Sequence, residues 1–216
     1  DLTFEIRRQS FQFLTGPSGA GKTSLLRMLF LALKPTRGLI TMLGRDVSTL
    51  ARTDLPAIRR RIGVVFQDFR LLDHLTTYEN VALPLRVRGK AESSYRQDVV
   101  DLIKWVGLGE RLNALPVVLS GGEKARLVMA KMLYDPPNFL VLDEPTNHLD
   151  IATKEMLITA LSNYEGTMLF VSHDRHFLAA LSNRLLELTP EGIHQDGGGY
   201  TEYVARTGQE APGLRS

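Results

Sequence analysis

The architecture of this chain follows from one stretch, FQFLTGPSGAGKTSLLRML, residues 11–29. A β-rich run ends at Gly16, and a run with helical periodicity begins at Lys22. Between them, GPSGAGKT (Gly16 to Thr23) fits the pattern G-x-x-x-x-G-K-[ST]. Glycines let backbone N–H groups curl around phosphate oxygens, and the following helix directs the positive end of its dipole at the same anion. A strand, this loop and a helix in that order therefore predict a phosphate-binding loop.

A second stretch, FLVLDEPTNHLD (residues 139–150), runs from apolar residues into two adjacent carboxylates. Two acids at the end of a buried strand are costly unless a cation lies beside them. The phosphate loop gives them a purpose. Asp143 can hold Mg²⁺ through water, and Glu144 can polarise the water that attacks a γ-phosphate. In the same scheme, Lys22 reaches the β- and γ-phosphates and the Thr23 hydroxyl binds Mg²⁺.

Buried strands alternate with helical patterns along most of the chain. Three apolar runs, RIGVVFQ (61–67), NFLVLD (138–143) and TMLFVS (167–172), are typical of strands buried on both faces. Their alternation with helices predicts an α/β fold with a mostly parallel sheet. The runs NRLLELT and GIHQ predict an antiparallel hairpin that closes the sheet.

The pattern predicts a single domain with one insertion. The stretch of about residues 69–115 reads as mostly helical, and it interrupts the alternation of strands and helices. We therefore expect a core formed by residues 1–68 and 116–205, an inserted helical subdomain at 69–115, and a loose polar tail at 206–216.

Composition excludes several classes of protein. The 216 residues contain no cysteine, which excludes disulfides and thiolate metal sites. No apolar run is long enough to span a bilayer, and we expect a cytoplasmic location. The net charge of +2 gives no reason to expect nucleic acid, and RRR at 59–61 is better interpreted as a solvated edge before a strand. We expect no direct DNA binding.

Three further stretches complete an ordered set of motifs. Gln67 follows IGVVF, LSGGE (119–123) opens a helix, and His173 follows TMLFVS. With the phosphate loop and the carboxylate pair, this order resembles the nucleotide-binding domain of ATP-binding cassette (ABC) proteins over nearly the whole chain. The resemblance implies a P-loop NTPase fold with an ABC-type ATPase core, an antiparallel β part and an inserted helical subdomain. It also implies hydrolysis of ATP with Mg²⁺.

The resemblance assigns further roles to individual residues. It makes Gln67 the glutamine that contacts Mg²⁺ and the attacking water, and His173 the histidine that hydrogen-bonds the γ-phosphate. The implied catalytic residues are thus Lys22, Gln67, Glu144 and His173, and the implied metal ligands are Thr23, Gln67 and Asp143. The implied nucleotide contacts are Gly16, Pro17, Ser18, Gly19, Ala20, Gly21, Lys22, Thr23, Ser24, Ser120, Gly121, Gly122 and Asp150.

The Ser-Gly-Gly turn at residues 120–122 is a second anion site at a helix N-terminus. In the ABC family, this signature contacts the ATP held by the other subunit, and the aspartate at position 150 crosses the dimer interface. The resemblance therefore implies a head-to-tail homodimer around two ATP molecules. The family's aromatic residue that stacks on adenine would fall at or before Asp1, so no residue is assigned that role.

The two ends of the sequence resemble different ABC subfamilies. Residues 1–118 resemble cell-division ATP-binding proteins, which implies an integral membrane partner that contacts the Gln67 loop and the helical subdomain. Such a protein would be peripheral on the inner face of the membrane. The residues given this possible partner role are Phe66, Phe69, Leu71, Leu72 and Tyr78.

Residues 119–216 resemble the translation-type F subfamily, which implies the ribosome as an alternative partner. Asn147, His148 and the run SHDRHFL carry this second resemblance. Residues 1–118 contain 18 Lys and Arg against 11 Asp and Glu, whereas residues 119–216 contain 8 against 13. The change of charge and the change of resemblance coincide, which favours a mosaic joined between Val106 and Tyr134. A single divergent cassette and a catalytically idle chimera are the alternatives.

Overall fold

The computed structural model describes residues 2–66, 69–147 and 149–214. Within these ranges the strands are β1 (Phe11–Thr15), β2 (Thr41–Met42), β3 (Arg45–Asp46), β4 (Ile62–Val65), β5 (Phe139–Asp143), β6 (Thr167–Val171), β7 (Arg184–Leu188) and β8 (Ile193–Asp196). The α-helices are α1 (Lys22–Leu29), α2 (Leu55–Arg59), α3 (Thr77–Val87), α4 (Arg96–Trp105), α5 (Gly121–Tyr134), α6 (Ile151–Ser162), α7 (Arg175–Leu181) and α8 (Tyr200–Thr207).

Six strands form the main sheet, in the order β4-β5-β6-β1-β7-β8. β1 runs parallel to both β6 and β7, and β5 runs parallel to β6. β7 and β8 pair antiparallel as a hairpin, and β2 and β3 form a separate antiparallel pair. The predicted α/β fold, with a mostly parallel sheet and an antiparallel part, is confirmed. Because parallel strands end on the same edge, the segments after β1, β5 and β6 all leave the sheet at its carboxyl edge.

Contacts divide the chain into two compact units. The first comprises residues 1–64, 137–145 and 165–216. Its core is built on β1, β5 and β6. The apolar residues of β5 and β6 are buried as the sequence predicted, whereas residues 62–64 of β4, also predicted to be buried on both faces, are only half-buried. Leu14, Val141 and Leu169, from three neighbouring strands, are each fully buried in one cluster with the apolar face of α1. This cluster anchors the carboxyl edge of the sheet and the start of α1.

The second unit comprises residues 65–136 and 146–164. It is largely helical, and α3, α4 and α5 enclose a core that includes Val81, Ile103 and Leu127. Helix α3 begins at a capping box in which Thr76 and Glu79 satisfy each other's backbone N–H groups. This unit is larger than the subdomain at 69–115 suggested by the sequence, since it adds α5 and α6. The subdomain boundaries themselves stay a prediction.

The segment after α8 belongs to the first unit and packs against other residues of that unit as far as residue 214. Gly208 ends α8 in the left-handed conformation, and Ala211 is fully buried. The N–H of Leu214 donates to the carbonyl of Ala211 at 3.0 Å, which closes a turn. Polar composition predicted a loose tail at 206–216, which stays a prediction; within it, Ala211 is buried and a turn runs from Ala211 to Leu214.

No helix in the described parts of the chain has both the length and the hydrophobicity needed to cross a membrane.

Candidate active site

The phosphate loop lies between β1 and α1, as the sequence predicted. Thr15 and Gly16 are buried, whereas Pro17, Ser18 and Gly19 are exposed. The loop thus starts at buried residues and becomes exposed at residues 17–19. It ends at Gly21, after which α1 begins. Gly21 has a φ of 96°, a left-handed conformation that a side chain would disfavour. Glycine at this position lets the loop turn into the helix with its N–H groups exposed to an anion.

The ammonium group of Lys22 lies over this loop. Its Nζ donates hydrogen bonds to the carbonyl of Gly16 at 2.7 Å and to that of Pro17 at 3.0 Å. Thr23, the next residue, is exposed at the first turn of α1. Because a phosphate offers full negative charge where these carbonyls are neutral, it is the stronger partner for the ammonium. Lys22 is therefore placed to bind a phosphate that enters the loop.

The carboxylate pair lies at the end of β5. Asp143 is the last residue of the strand and is in register with Val171 of β6. Glu144 leaves the strand with a φ of 50°, while its N–H still donates to the carbonyl of Val171 at 2.9 Å. A non-glycine residue in this left-handed region is uncommon and is found disproportionately at functional sites. The turn directs the Glu144 side chain away from the strand and towards the segment after β6.

His173 meets Glu144 at this edge. The backbone N–H of His173 donates to Oε2 of Glu144 at 3.2 Å, and its Nε2 lies 3.2 Å from Oε1. The Glu144 side chain is 11% exposed and that of His173 is 60% exposed. Oε1 makes no hydrogen bond with any residue in the described ranges, since the nearby Nε2 is not aligned for one. A buried carboxylate oxygen of this kind can accept a proton from a bound water.

The electrostatic surroundings suit a general base. Burial raises the pKa of Glu144 above the usual glutamate value, and the neighbouring Asp143 carboxylate raises it further. His173 and Lys22 act in the opposite direction and lower the pKa of Glu144. Burial is the largest of these effects. A carboxylate with a raised pKa is a stronger base than an exposed glutamate, as proton abstraction near neutral pH requires.

The signature residues begin α5 in the second unit. Ser120 is the N-cap: its Oγ accepts from the N–H of Glu123 at 3.2 Å, and Glu123 Oε2 accepts from the N–H of Ser120 at 2.8 Å. In this capping box the serine oxygen accepts from the N–H of Glu123, and the Ser120 side chain also hydrogen-bonds the Glu123 carboxylate, which helps to lower the pKa of Glu123. The N-terminus of a long helix with a serine hydroxyl is suited to bind phosphate.

Asp150 begins the neighbouring helix α6. Its Oδ1 accepts from the N–H of Thr153 at 2.7 Å, and this bond lowers the pKa of Asp150. A Cβ added at Gly122 would lie 3.0 Å from Oδ2 of Asp150. The absence of a side chain at Gly122 therefore allows this close approach, and Ser120, Gly122 and Asp150 lie on one part of the second unit.

Two residues near the signature were not predicted. Glu123 completes the capping box, and Arg111 Nε lies 3.2 Å from its Oε1. The backbone hydrogen bond from Ser120 is the main reason that the pKa of Glu123 is lowered, with a smaller contribution from Arg111. The pattern S-x-x-E in LSGGE signals the Glu123 contact from sequence alone. No comparable signal marks Arg111, which approaches from a different segment.

The predicted residues therefore lie in two groups. Lys22, Glu144 and His173 come together in the first unit, with Asp143 adjacent to Glu144 in the chain. Gln67 was predicted to act in catalysis and metal binding, and it lies outside the described residues, as does His148. The fold and the first group define a P-loop ATPase with the motif order of an ATP-binding cassette.

Comparison with known proteins identifies the family. The chain matches the ABC transporter family over residues 1–147. It is 38% identical over 192 residues to the cell division ATP-binding protein FtsE of Mycobacterium tuberculosis, covering 88% of this chain and 84% of that protein. Identity to FtsE of Escherichia coli K12 is 35% over 196 residues, covering 89% of this chain and 88% of that protein. The chain belongs to the ABC transporter family and is an ABC-type ATPase.

Solved structures agree with this assignment. The ATP-binding cassette MJ0796, in a dimeric post-hydrolysis state bound to ADP and Pi, superposes with a TM-score of 0.81 at 29% identity. The match covers 91% of this chain and 89% of that chain. A second structure, of MJ0796 as a dimeric bacterial ABC transporter cassette, gives the same values.

The comparisons also bear on the alternatives raised by the sequence. FtsE of Bacillus subtilis is 33% identical over 198 residues, which is 90% of this chain. Because such matches extend well beyond residue 118, they do not favour a translation-type protein or a ribosome partner. The mosaic origin suggested by Asn147 and by the charge change is not confirmed.

Proposed function

We propose that this ATPase binds Mg-ATP in the loop from Gly16 to Thr23 and hydrolyses it with Glu144 as the general base. The observation that carries this proposal is the buried Oε1 of Glu144, which makes no hydrogen bond within the described chain and faces His173 at 3.2 Å. Water donates a proton to this oxygen as its own oxygen attacks the γ-phosphorus. The bond from that phosphorus to the β–γ bridging oxygen breaks, and ADP and phosphate leave.

Two cationic or hydrogen-bonding groups stabilise the transferring phosphoryl group in this proposal. Lys22 leaves the carbonyls of Gly16 and Pro17 and binds phosphate oxygens, since the ammonium gains a charged partner. His173 donates to the γ-phosphate from the exposed side of Glu144. The N–H groups of the loop and the first turn of α1 bind the remaining phosphate oxygens.

The residues present fit Mg²⁺. The exposed hydroxyl of Thr23 and the carboxylate of Asp143 are the hard oxygen ligands that this ion prefers. The described residues contain no group of three or more His, Cys, Asp and Glu that could hold a metal by themselves. That agrees with an ion held by one or two protein oxygens together with substrate phosphates and water. Bound Mg²⁺ neutralises charge on the phosphates, and Gln67 is proposed as a further ligand.

We propose that two copies associate head to tail around ATP. Support comes from the second anion site at Ser120, which one phosphate loop does not need, and from the dimeric state of the related cassette. The hydroxyl of Ser120 would donate to the γ-phosphate of the partner's ATP. Asp150 and Gly122, which approach each other beside Ser120, would line the same interface.

Glu144→Gln tests the base and the dimer together. The amide cannot accept the proton, so ATP should persist and a stable dimer should be seen by sedimentation with Mg-ATP. Glu165→Gln, an exposed acid of the same unit, is the matched control and should stay monomeric as ATP turns over. Adding Ser120→Ala to Glu144→Gln should abolish the dimer. A dimer that forms without nucleotide, or that survives Ser120→Ala, contradicts the proposed geometry.

We propose that hydrolysis drives an integral membrane subunit of the cell-division type. The relatives' names and the exposed Leu72 in the second unit, 38% accessible, support this proposal. In liposomes that contain the membrane subunit paired with such an ATPase, Leu72→Asp should abolish stimulation of ATP hydrolysis. Leu33→Asp is the matched control, because Leu33 is similarly exposed at 46% but belongs to the first unit. If the membrane subunit stimulates ATP hydrolysis equally in both variants, Leu72 does not contact that subunit.

A further inference from the structure

The segment after α8 touches the start of the phosphate loop. The backbone N–H of Gly16, the first loop residue, donates to the carbonyl of Pro212 at 3.2 Å. The hydroxyl of Thr15, which is 3% exposed, donates to the same carbonyl. Two buried donors at the end of β1 thus share one acceptor that is almost 200 residues away in the chain. Without Pro212, the N–H of Gly16 and the hydroxyl of Thr15 would lose this buried acceptor, and a buried donor without a partner is costly.

The other side of the same residue is also contacted. A Cβ added at Gly213 would lie 2.6 Å from the carbonyl oxygen of Gly16, so the backbone of Gly213 passes directly over it. That oxygen is the acceptor of the Lys22 ammonium at 2.7 Å. A Cβ added at Gly16 would in turn lie 2.5 Å from the carbonyl oxygen of Leu188. Gly16 is therefore held between the end of β7 and residues 212–213.

Side-chain contacts fix this segment to the rest of the first unit. The hydroxyl of Tyr200 donates to Oε2 of Glu210 at 2.7 Å, and Arg175 Nε lies 3.4 Å from Oε1. Burial, together with the Glu210 hydrogen bond, raises the pKa of Tyr200 to about 12, so this donor keeps its proton at neutral pH. Ala211 is fully buried next to these contacts. Glu210 and Ala211 thus anchor the backbone that reaches Gly16.

We infer that residues 209–214 form a strap that positions the phosphate loop for nucleotide, with Pro212 and Gly213 as positioning residues. The strap fixes the N–H of Gly16 through Pro212 and lies against its carbonyl through Gly213. It therefore sets the direction of the first peptide of the loop and the resting place of Lys22. A loop that is held in position loses less conformational freedom when phosphate binds. This inference rests on the proposed role of the loop from Gly16 to Thr23 in binding ATP.

Two glycine substitutions in the strap region make a matched test. Gly213 and Gly208 both have left-handed backbone, with φ of 89° and 65°, so alanine strains both. At Gly213 the added Cβ meets the Gly16 carbonyl, whereas at Gly208 nothing lies within 4 Å. Gly213→Ala should raise the Kd of a fluorescent, slowly hydrolysed ATP analogue about tenfold relative to Gly208→Ala. KM for ATP should rise in proportion, and kcat should change by less than about twofold, because Glu144 is untouched.

A second pair of variants leaves the strap sequence intact. Thr15→Val removes the hydroxyl donor to Pro212 in a side chain of similar shape, and Thr15→Ser keeps it. Thr15→Val should weaken binding of the analogue, and Thr15→Ser should restore it. Circular dichroism and the thermal midpoint without nucleotide show whether each variant is folded. A folded Gly213→Ala that binds as tightly as Gly208→Ala overturns the strap, as does Thr15→Ser that binds no better than Thr15→Val. If Gly208→Ala and the unaltered chain bind no analogue at all, the proposed nucleotide site fails and the inference fails with it.

Discussion

His173 contacts both oxygens of the Glu144 carboxylate but hydrogen-bonds only one of them. Its backbone N–H donates to Oε2 at 3.2 Å, and its Nε2 lies 3.2 Å from Oε1, although the two residues are 29 positions apart. The parallel pairing of β5 and β6, with Asp143 opposite Val171, brings the two segments beyond these strands side by side. The sheet register therefore assembles the candidate base and its histidine, and it makes the properties of one depend on the other.

Catalysis should be lost on the acid side at a higher pH than an ordinary glutamate would give. Burial raises the pKa of Glu144 above 4.5, and only the deprotonated carboxylate can take a proton from water. As pH falls through that raised pKa, kcat/KM for Mg-ATP should fall, because kcat/KM reports the pKa values of the free enzyme. The residual rate of Glu144→Gln should not fall in this way at acid pH, so its pH profile should lack the acid limb. This control separates the titration of Glu144 from the titration of the nucleotide. An acid limb at or below 4.5 in the unaltered enzyme would show that Glu144 is not the base.

Replacing His173 should change both rate and pH dependence. His173→Gln removes a group that lowers the pKa of Glu144, so the acid limb should move to higher pH. It also removes the proposed donor to the transferring phosphoryl group, and kcat should fall about 100-fold or more. His194→Gln, at an exposed histidine of β8, is the control and should leave both quantities unchanged. A lower rate without any shift of the limb would mean that His173 acts only on the phosphate.

Glu144 should make the folded protein less stable as pH rises. Its pKa is higher in the folded state than in the unfolded state, so the folded state binds the proton more tightly. The stabilisation from protonated Glu144 is fully present below about 4.5 and is lost as pH rises through the folded pKa. Glu144→Gln has no carboxyl group to ionise, so it does not lose this stabilisation as pH rises. Urea unfolding should find the variant more stable than the unaltered protein at pH 8, with the difference shrinking towards pH 4.5. A constant difference across this range would contradict the assignment.

Gly63 should tolerate no side chain. This residue of β4 lies where an added Cβ would be 2.6 Å from Cγ of Pro137 and 2.7 Å from Cδ2 of Leu140. Gly63→Ala should therefore lower the free energy of unfolding by about 1–3 kcal/mol through overpacking. Gly197→Ala is the control, because nothing lies within 4 Å of its added Cβ. If both variants unfold at the same denaturant concentration, the predicted packing between β4 and β5 is wrong.

Local patterns predicted the parts of the site that single segments build. The strand, loop and helix around Lys22 and the apolar strand before Asp143 are each encoded by consecutive residues, and the structure places them as expected. The Glu144 to His173 contact was foreseeable only through the family's motif order, since it depends on which strands are neighbours. The contacts of Pro212 with Gly16 join residues that are distant in the chain, and no motif or composition signal at Pro212 predicted them.

The role of Glu144 as the base is tested by measuring the chemical step itself in Glu144→Gln. A single turnover of radiolabelled Mg-ATP, with enzyme in excess and quenched in acid, measures hydrolysis independently of product release. The rate constant should be about 100-fold or more below that of Glu165→Gln, with ATP binding retained. A rate constant equal to that of Glu165→Gln would contradict the assignment of Glu144 as the base.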